Sequence, residues 1–405
     1  MTSPSSATAA PARPAGLSPA LVWLMALTCG LVAANIYYNQ PLLADIGRTF
    51  GLRDSGAALV ATATQLGYTL GMLFMVPLGD KLERKRLMLL MLLGAAACLV
   101  LAALAPTFAA LVAASVLIGL FSAVPQLLVP MAAHLASEES RGRVVGRVMS
   151  GLLIGILLSR TVSGYVGAHF GWRSMFGGGA VLMVLLVAVL ARALPTDRPA
   201  FTGTYGSLMK SLLTLTRTQP GLRRAALVGA CLFASFSVFW TTLTFFLEGA
   251  YRYGSDVAGF FGLIGAVGAL AASWAGKAAD QRGPDYAITR GIGLALAAYA
   301  VLGLGGYHLA ALVVGVILLD VGVQAAHISN QASIFGLVPA ARSRLNTVYM
   351  TGYFIGGSLG SVVGGLAWAS GGWAGVCLAG AGFAGAAWLA NRFYGRTPVA
   401  GPPSA

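Results

Sequence analysis

Apolar runs of about 20 residues, the length that crosses a hydrocarbon layer ~30 Å thick as a helix, recur along this 405-residue chain almost end to end. Inside lipid a backbone must satisfy its own hydrogen bonds, which helices do span by span. The pattern therefore predicts an all-α integral membrane protein. Twelve transmembrane helices are expected at 20–43, 57–78, 87–105, 108–131, 147–168, 174–193, 223–247, 257–277, 287–306, 309–331, 346–369 and 373–394. Composition agrees: 9% of residues are charged, against about a quarter in soluble domains, and mean hydropathy is +0.80. The 54 glycines suit helices that approach closely where lipid supplies no hydrophobic drive. Cys29, Cys98, Cys231 and Cys377 all lie in apolar runs without paired spacing, so they read as packers, with no metal site or disulfide framework. Residues 1–18 form a polar Pro/Ala/Ser-rich tail lacking the layout of a signal peptide; it is expected to be disordered and retained.

The net charge of +14 is a matter of placement. An even span count puts both termini on one side. Of the basic residues, Arg48, Arg53, Arg173 and Arg252 fall on the other side, where Asp45, Asp54, Glu248 and Asp256 balance them. Arg160 lies within a span, and every other Lys and Arg lies on the terminal side. That asymmetry assigns the terminal side to the cytoplasm and argues against nucleic acid as the partner. Two opposite charges remain deep in the membrane: Arg160 in the fifth span and Asp320 in the tenth.

The chain repeats itself. "RGRVVGRVMSGLLIG" from Arg141 and "RSRLNTVYMTGYFIG" from Arg342 align at an offset of 201. Arg141/Arg342, Arg143/Arg344, Met149/Met350, Gly151/Gly352, Ile154/Ile355, Gly155/Gly356, Gly164/Gly365 and Trp172/Trp373 are identical, and Asp80 and Asp280 match at an offset of 200. An even number of spans between copies makes them parallel. The expectation is two six-helix bundles, 19–193 and 223–395, related by a pseudo-two-fold along the membrane normal, a known transporter architecture. Segment 194–222 reads as a cytoplasmic linker, in which Leu208, Leu212 and Leu215 share a helical face beside Lys210 and Arg217, and 396–405 is a terminal tail.

With these features the chain resembles the major facilitator superfamily. "VPLGDKLERKR" is similar to that superfamily's G-x-L-A-D-R-x-G-R-K signature: Asp80 stands at its aspartate, Lys81 at the next basic residue, and Arg84 and Lys85 at the basic pair, with Val76 and Glu83 replacing glycines. "GKAADQRG" keeps Gly276, Ala279, Asp280 and Gly283 without the basic pair. The resemblance implies a charge cluster that locks and releases the bundles, with Asp80, Arg84, Lys85, Arg141, Asp280 and Arg342 as gating residues. The fifth span resembles the glycine-rich motif of drug–proton antiporters at Gly142, Gly151 and Gly155, but has Ile156 in place of its proline and Ser159-Arg160 in place of its glycine pair. "NIYYNQPLL" and "LLSRTVSG" look closer to a bacterial branch of sugar, nucleoside and drug exporters.

Ionisable residues in spans usually face an interior or a wet cavity, because lipid exposure is expensive. Asp320 is followed on one helical face by Gln324, His327 and Gln331. A carboxylate whose hydration alternates is suited to carry a proton, and an imidazole could share that role. Asp320, His327 and Arg160 are therefore the candidate proton-coupling residues; a static buried ion pair is the competing reading. Asn35, Tyr38, Asn39, Gln65, Tyr68, Gln126, Trp240, Gln324, Tyr349 and Tyr353 are the candidate substrate lining, with Phe236, Thr241, Phe245 and Asn346 beside them. Aromatic walls with a few amide and hydroxyl groups suit small organic molecules.

No phosphate-binding G-x4-G-K-[ST] loop occurs, which excludes a nucleotide-driven pump of that type. Ser358 matches G-x-S-x-G but sits inside an expected span, and His134, His169, His308 and His327 are scattered. No enzyme and no cofactor are expected. The expectation is a monomeric secondary transporter of a bacterial inner membrane, with cytoplasmic termini, that exports a small organic compound of drug-like, sugar or nucleoside class in exchange for protons. An importer using proton symport, or a uniporter, is the alternative.

Overall fold

The computed structural model describes residues 17–137, 139–196, 203–265, 282–338 and 341–394. Helix α1 (Pro19–Ala34) starts where Ser18 accepts a hydrogen bond from Leu21 N and Pro19 occupies the first turn. It stops at Ala34 rather than running to residue 43 as expected. The chain turns through 35–39, Pro41 has no N–H to continue an α-ladder, and α2 (Leu43–Phe50) follows a 3-10 turn at Gln40–Leu42.

The rest of the first bundle is α3 (Asp54–Asp80), α4 (Arg84–Ala103), α5 (Phe108–Leu135), α6 (Arg141–Phe170) and α7 (Trp172–Ala193). The end of α3 is wound unevenly: a π turn at Gly71–Met75 passes into a 3-10 turn at Val76–Asp80 around Pro77. α6 begins six residues before its expected start, so Arg141 and Arg143 stand on helix rather than in a loop. In the linker, α8 (Tyr205–Thr218) is capped by Thr204 and buries Leu208 and Leu212. The second bundle comprises α9 (Pro220–Tyr251), α10 (Ser255–Gly265), α11 (Pro284–Gly305), α12 (Leu309–Phe335) and the run Arg342–Phe393.

That run has 52 residues, about 78 Å at ~1.5 Å per residue, more than twice the depth of a bilayer core. Gly372 breaks it, with φ of 53° that a side chain would resist. It is two spans, α13 (342–371) and α14 (373–393). Nine helices among the described residues are long and apolar enough to cross a membrane. Counting the broken run twice and adding the shorter apolar α1 and α10 represents all twelve expected spans. The molecule is an all-α membrane fold of two six-helix bundles.

Packing repeats with the sequence. In the first bundle Gly155 of α6 presses on Gly30 of α1, and in the second Gly356 of α13 presses on Ala230 of α9; a Cβ on either of these two helices' glycines would overlap backbone. Such bare approaches gain dispersion that bulkier residues would forbid.

The bundles meet at the face opposite the termini, the far face. Arg48 of α2 pairs with Glu248 of α9, Trp368 Nε1 donates to Asp54 Oδ2 at 2.7 Å, and Thr244 Oγ1 donates to the Pro41 carbonyl at 3.2 Å. Towards the basic face, a cavity of about 110 Å³ separates Asp80, Arg84 and Gln126 of the first bundle from Ser343, Arg344 and Thr347 of the second, with Leu208 and Leu212 of α8 against it.

Candidate functional site

Arg160 and Asp320 both lie about 15 Å from the far ends of their helices at ~1.5 Å per residue, and both are buried. They do not form a direct ion pair. The Trp240 indole stands between them: its Nε1 donates to Asp320 Oδ1 at 3.2 Å, and the Arg160 guanidinium carbon lies 4.2 Å from its ring centroid. Arg160 Nε donates to Gln40 Oε1 at 2.7 Å, and the Tyr37 and Phe236 rings lie 4.7 and 5.8 Å from the guanidinium. The break after α1 turns Gln40 and Tyr37 inward.

α10 fixes the depth of both charges. Gly262 lies against the Arg160 stem, 2.9 Å from where a Cβ would stand to Arg160 Cβ, and a Cβ at Gly265 would overlap the Asp320 carboxylate. The repeat makes the second contact informative. The residue equivalent to Asp320 in the first bundle is Gly119, which is packed bare: a Cβ there would overlap the Thr64 carbonyl. The second copy carries a carboxylate where the first has no side chain, and it has Gly265 where the first, at the offset of 200 shared with Asp80 and Asp280, has Gln65.

A second cluster sits towards the basic face. His327 Nδ1 lies 3.0 Å from the Tyr349 hydroxyl, and its ring is 4.5 Å from that of Tyr353. Tyr353 stacks on Phe233 at 4.0 Å and 14°. Across the bundle boundary Tyr68 meets Phe354 at 4.4 Å and accepts a hydrogen bond from Gln126 Nε2 at 3.2 Å. Gln65 also crosses the boundary, donating to Ser361 Oγ at 3.1 Å and accepting from Ser237 Oγ at 3.4 Å. Gln324 is half-buried between Asp320 and His327 on α12, and Gln331 donates to Asn346 Oδ1 at 3.1 Å.

Other expected lining residues face elsewhere. Asn35 donates to Ser122 Oγ at 3.3 Å and Asn39 to Thr64 Oγ1 at 2.8 Å, both within the first bundle. Tyr38 packs towards Gly179 of α7, away from the centre, while its neighbour Tyr37 takes the central position. A continuous helix through residue 43 would have presented Tyr38; the break at 35 rotates the register. Tyr37, Gln40 and Phe233 at the centre and Arg344 at the basic-face cavity lie outside the expected site residues.

Among the gating candidates, Asp80 and Arg84 pair at 3.5 Å and line the basic-face cavity, where Arg84 Nε also donates to the Gly79 carbonyl at 3.2 Å. Lys85 donates to the Leu194 carbonyl at 2.7 Å. Arg141 donates to the Ala133 carbonyl at 3.1 Å and Arg342 to the Phe335 carbonyl at 3.2 Å. Each thus satisfies the exposed C-terminal end of the preceding span in its own bundle. It is Arg344, two residues on, that lines the cavity. Asp280 lies outside the described residues. Among the described residues no cluster of His, Cys, Asp or Glu is arranged to hold a metal ion.

The sequence pattern of the Major Facilitator Superfamily matches residues 25–308. The chain is 46% identical over 366 residues to the uncharacterized transporter YgaY of Escherichia coli, covering 90% of this chain and 93% of that protein. It is 34% identical over 382 residues to the transporter SCO4007 of Streptomyces coelicolor, covering 92% of this chain and 89% of that one. Among solved structures, a bacterial homologue of the human lysosomal transporter Spinster, inward-facing and unoccupied, aligns with a TM-score of 0.77 at 16% identity, over 94% of this chain and 97% of the other. The nucleoside transporter NupG aligns with a TM-score of 0.70 at 15% identity, over 91% and 98%. At such identities the structural likeness speaks for the fold alone.

Proposed function

The chain belongs to the major facilitator superfamily of membrane transporters, and we propose that it moves a small organic compound by alternating access, with Asp320 carrying the coupled proton. The observation that carries this reading is the buried Asp320 carboxylate at the meeting of the two bundles, tied through Trp240 to the buried Arg160. A membrane protein keeps such groups only at a cost. A carboxylate whose access to water alternates between two sides can load a proton on one and release it on the other. Its lining of rings, amides and hydroxyls supports a small organic cargo.

In the cycle proposed, the basic face is cytoplasmic and the chain works as a monomer in a bacterial inner membrane. Cargo enters from the basic face, contacts Asp320 in place of the proton, and leaves at the far face as the carboxylate is protonated there. The proton is then given up to the basic side, so export runs by antiport. Asp80 and Arg84 close the basic side when the bundles rock.

Inward proton symport is the second reading, and one observation favours it. Arg160 Nη2 is buried and has no hydrogen-bond partner among the described residues. Cargo held there would travel beside a protonated Asp320 instead of competing with the proton.

Purified protein in liposomes with an enclosed pH-sensitive dye tests the proposal. Sugars, nucleosides, drugs and organic acids are applied to the native chain and to Asp320→Asn. Cargo-dependent proton movement that disappears in Asp320→Asn, with equilibrium cargo binding retained, is the expected result. Transport of a panel compound with no proton movement and no effect of the substitution would overturn proton coupling at Asp320.

A further inference from the structure

We propose that Arg160 is the seat for the acid group of a planar organic anion, an aryl carboxylate. The inference rests on the central site being where cargo binds and on the symport reading above, in which an anion at Arg160 travels beside a protonated Asp320 instead of displacing its proton; it names the class of cargo.

A guanidinium has five N–H donors and no acceptor, and it stays charged wherever it is placed. Buried charges are normally matched by a counter-ion in contact, because desolvating an unmatched one is expensive. Arg160 is 2% exposed, yet its protein contacts do not match its charge. Its Nε is used on Gln40, a neutral amide, and its Nη2 meets no acceptor among the described residues. The Tyr37, Trp240 and Phe236 rings offer their faces, which eases the burial of a cation without neutralising it.

Asp320 does not fill the gap. Its Oδ1 is held by the Trp240 N–H, so one indole serves both charges and keeps them apart. The guanidinium is instead held by the Gln40 amide and lies over the Trp240 and Tyr37 rings. Asp320 acts on the guanidinium only across the indole, which leaves the place of a contacting counter-ion open at Arg160.

A carboxylate presents two acceptors in one plane and matches the guanidinium fork. The body attached to it meets flat rings. Phe233 and Phe236 stack at 5.7 Å and 22°, and Phe236 lies 5.9 Å from Trp240, so an aromatic wall continues from Arg160 towards Tyr353. An aromatic acid meets charge with charge and ring with ring; a polyhydroxylated neutral compound would leave the cation unmatched.

The test uses the full chain in lipid nanodiscs, with benzoate and 2-naphthoate as probes and benzamide and 2-naphthamide as neutral isosteres. Thermal unfolding and tryptophan fluorescence report binding. The acids should raise Tm and change the fluorescence, and the amides at equal concentration should do neither. Arg160→Gln should weaken acid binding at least about tenfold, the scale expected when a charge-assisted bond of ~1.5–3 kcal/mol is lost, and Arg160→Lys should retain part of it. The acid–amide comparison on the native chain decides the matter even if Arg160→Gln does not fold. Equal binding of acid and amide, binding of neither, or undiminished acid binding by Arg160→Gln would overturn the inference. Proton-coupled movement of a neutral compound, lost in Asp320→Asn, would overturn it while leaving the proposed function standing. Acid binding without any coupled proton movement would do the reverse.

Discussion

Trp240 does two jobs with two parts of one side chain, and they can be separated. Trp240→Phe keeps a ring beneath Arg160 but removes the N–H that holds Asp320. Losing one hydrogen bond of about 1 kcal/mol predicts a fall of roughly fivefold in cargo-dependent proton flux, measured in liposomes, with little change in Tm. Gly265→Ala is expected to do more. Its new methyl would occupy the place of the Asp320 carboxylate, so flux should fall at least about tenfold, a cost above ~1.4 kcal/mol, while circular dichroism shows the helices intact. At this scale the sequence was half legible. Asp320 and Arg160 announced themselves because charges are rare in spans. Tyr37 did not, since its position depends on where α1 breaks, and Asn35-Ile36-Tyr37-Tyr38 reads equally well as continued helix. Gly265 was invisible because a bare backbone matters only through the side chain opposite.

Whole helices were more legible, because length and apolarity are dictated by the bilayer. The offset of 201 has its counterpart in the packing, where α13 lies on α9 as α6 lies on α1. What a repeated motif does was harder to read. Arg141 and Arg342 recur in both copies, which suited a gate, but each donates to a carbonyl at the end of the preceding helix in its own bundle. Arg141→Ala and Arg342→Ala are therefore predicted to lower stability by similar small amounts, ~0.3–1 kcal/mol as for other cations at helix C-termini. Flux per folded molecule should be close to native in each. A thermal melt paired with a flux assay checks both halves of this statement. Arg344→Ala, at the cavity between the bundles, should instead alter flux with little effect on Tm.

For the molecule as a whole, the question is which end is shut. Under the alternating access proposed above one sequence serves both arrangements, so no motif discloses it; here the far face is closed and the cavity lies towards the basic face. Arg48 and Glu248 are 200 residues apart, equivalent places in the two copies with opposite charges. Equivalent residues that touch must straddle the pseudo-two-fold, and the pair therefore stands over the far mouth of the central passage. Oxidative crosslinking of an Arg48→Cys/Glu248→Cys chain should halt turnover and a reductant should restore it. Arg48→Glu should increase labelling of a far-face cysteine, and adding Glu248→Arg should return it towards the native level. Unchanged labelling in both variants would remove this pair from the far-face closure.

The contact between Asp320 and Gly265 also bears on how such a chain arose. Two identical six-helix proteins assembled face to face would hold every carboxylate twice and every guanidinium twice. A centre with one acid on one side and one base on the other is closed to such a pair. Joined in one chain, the copies are free to differ, and they do: Gly119 is bare where its counterpart is Asp320, and Gln65 carries a side chain where its counterpart is Gly265. A single chain holding both copies can thus be lopsided at its middle, as a symmetric pair of identical chains cannot.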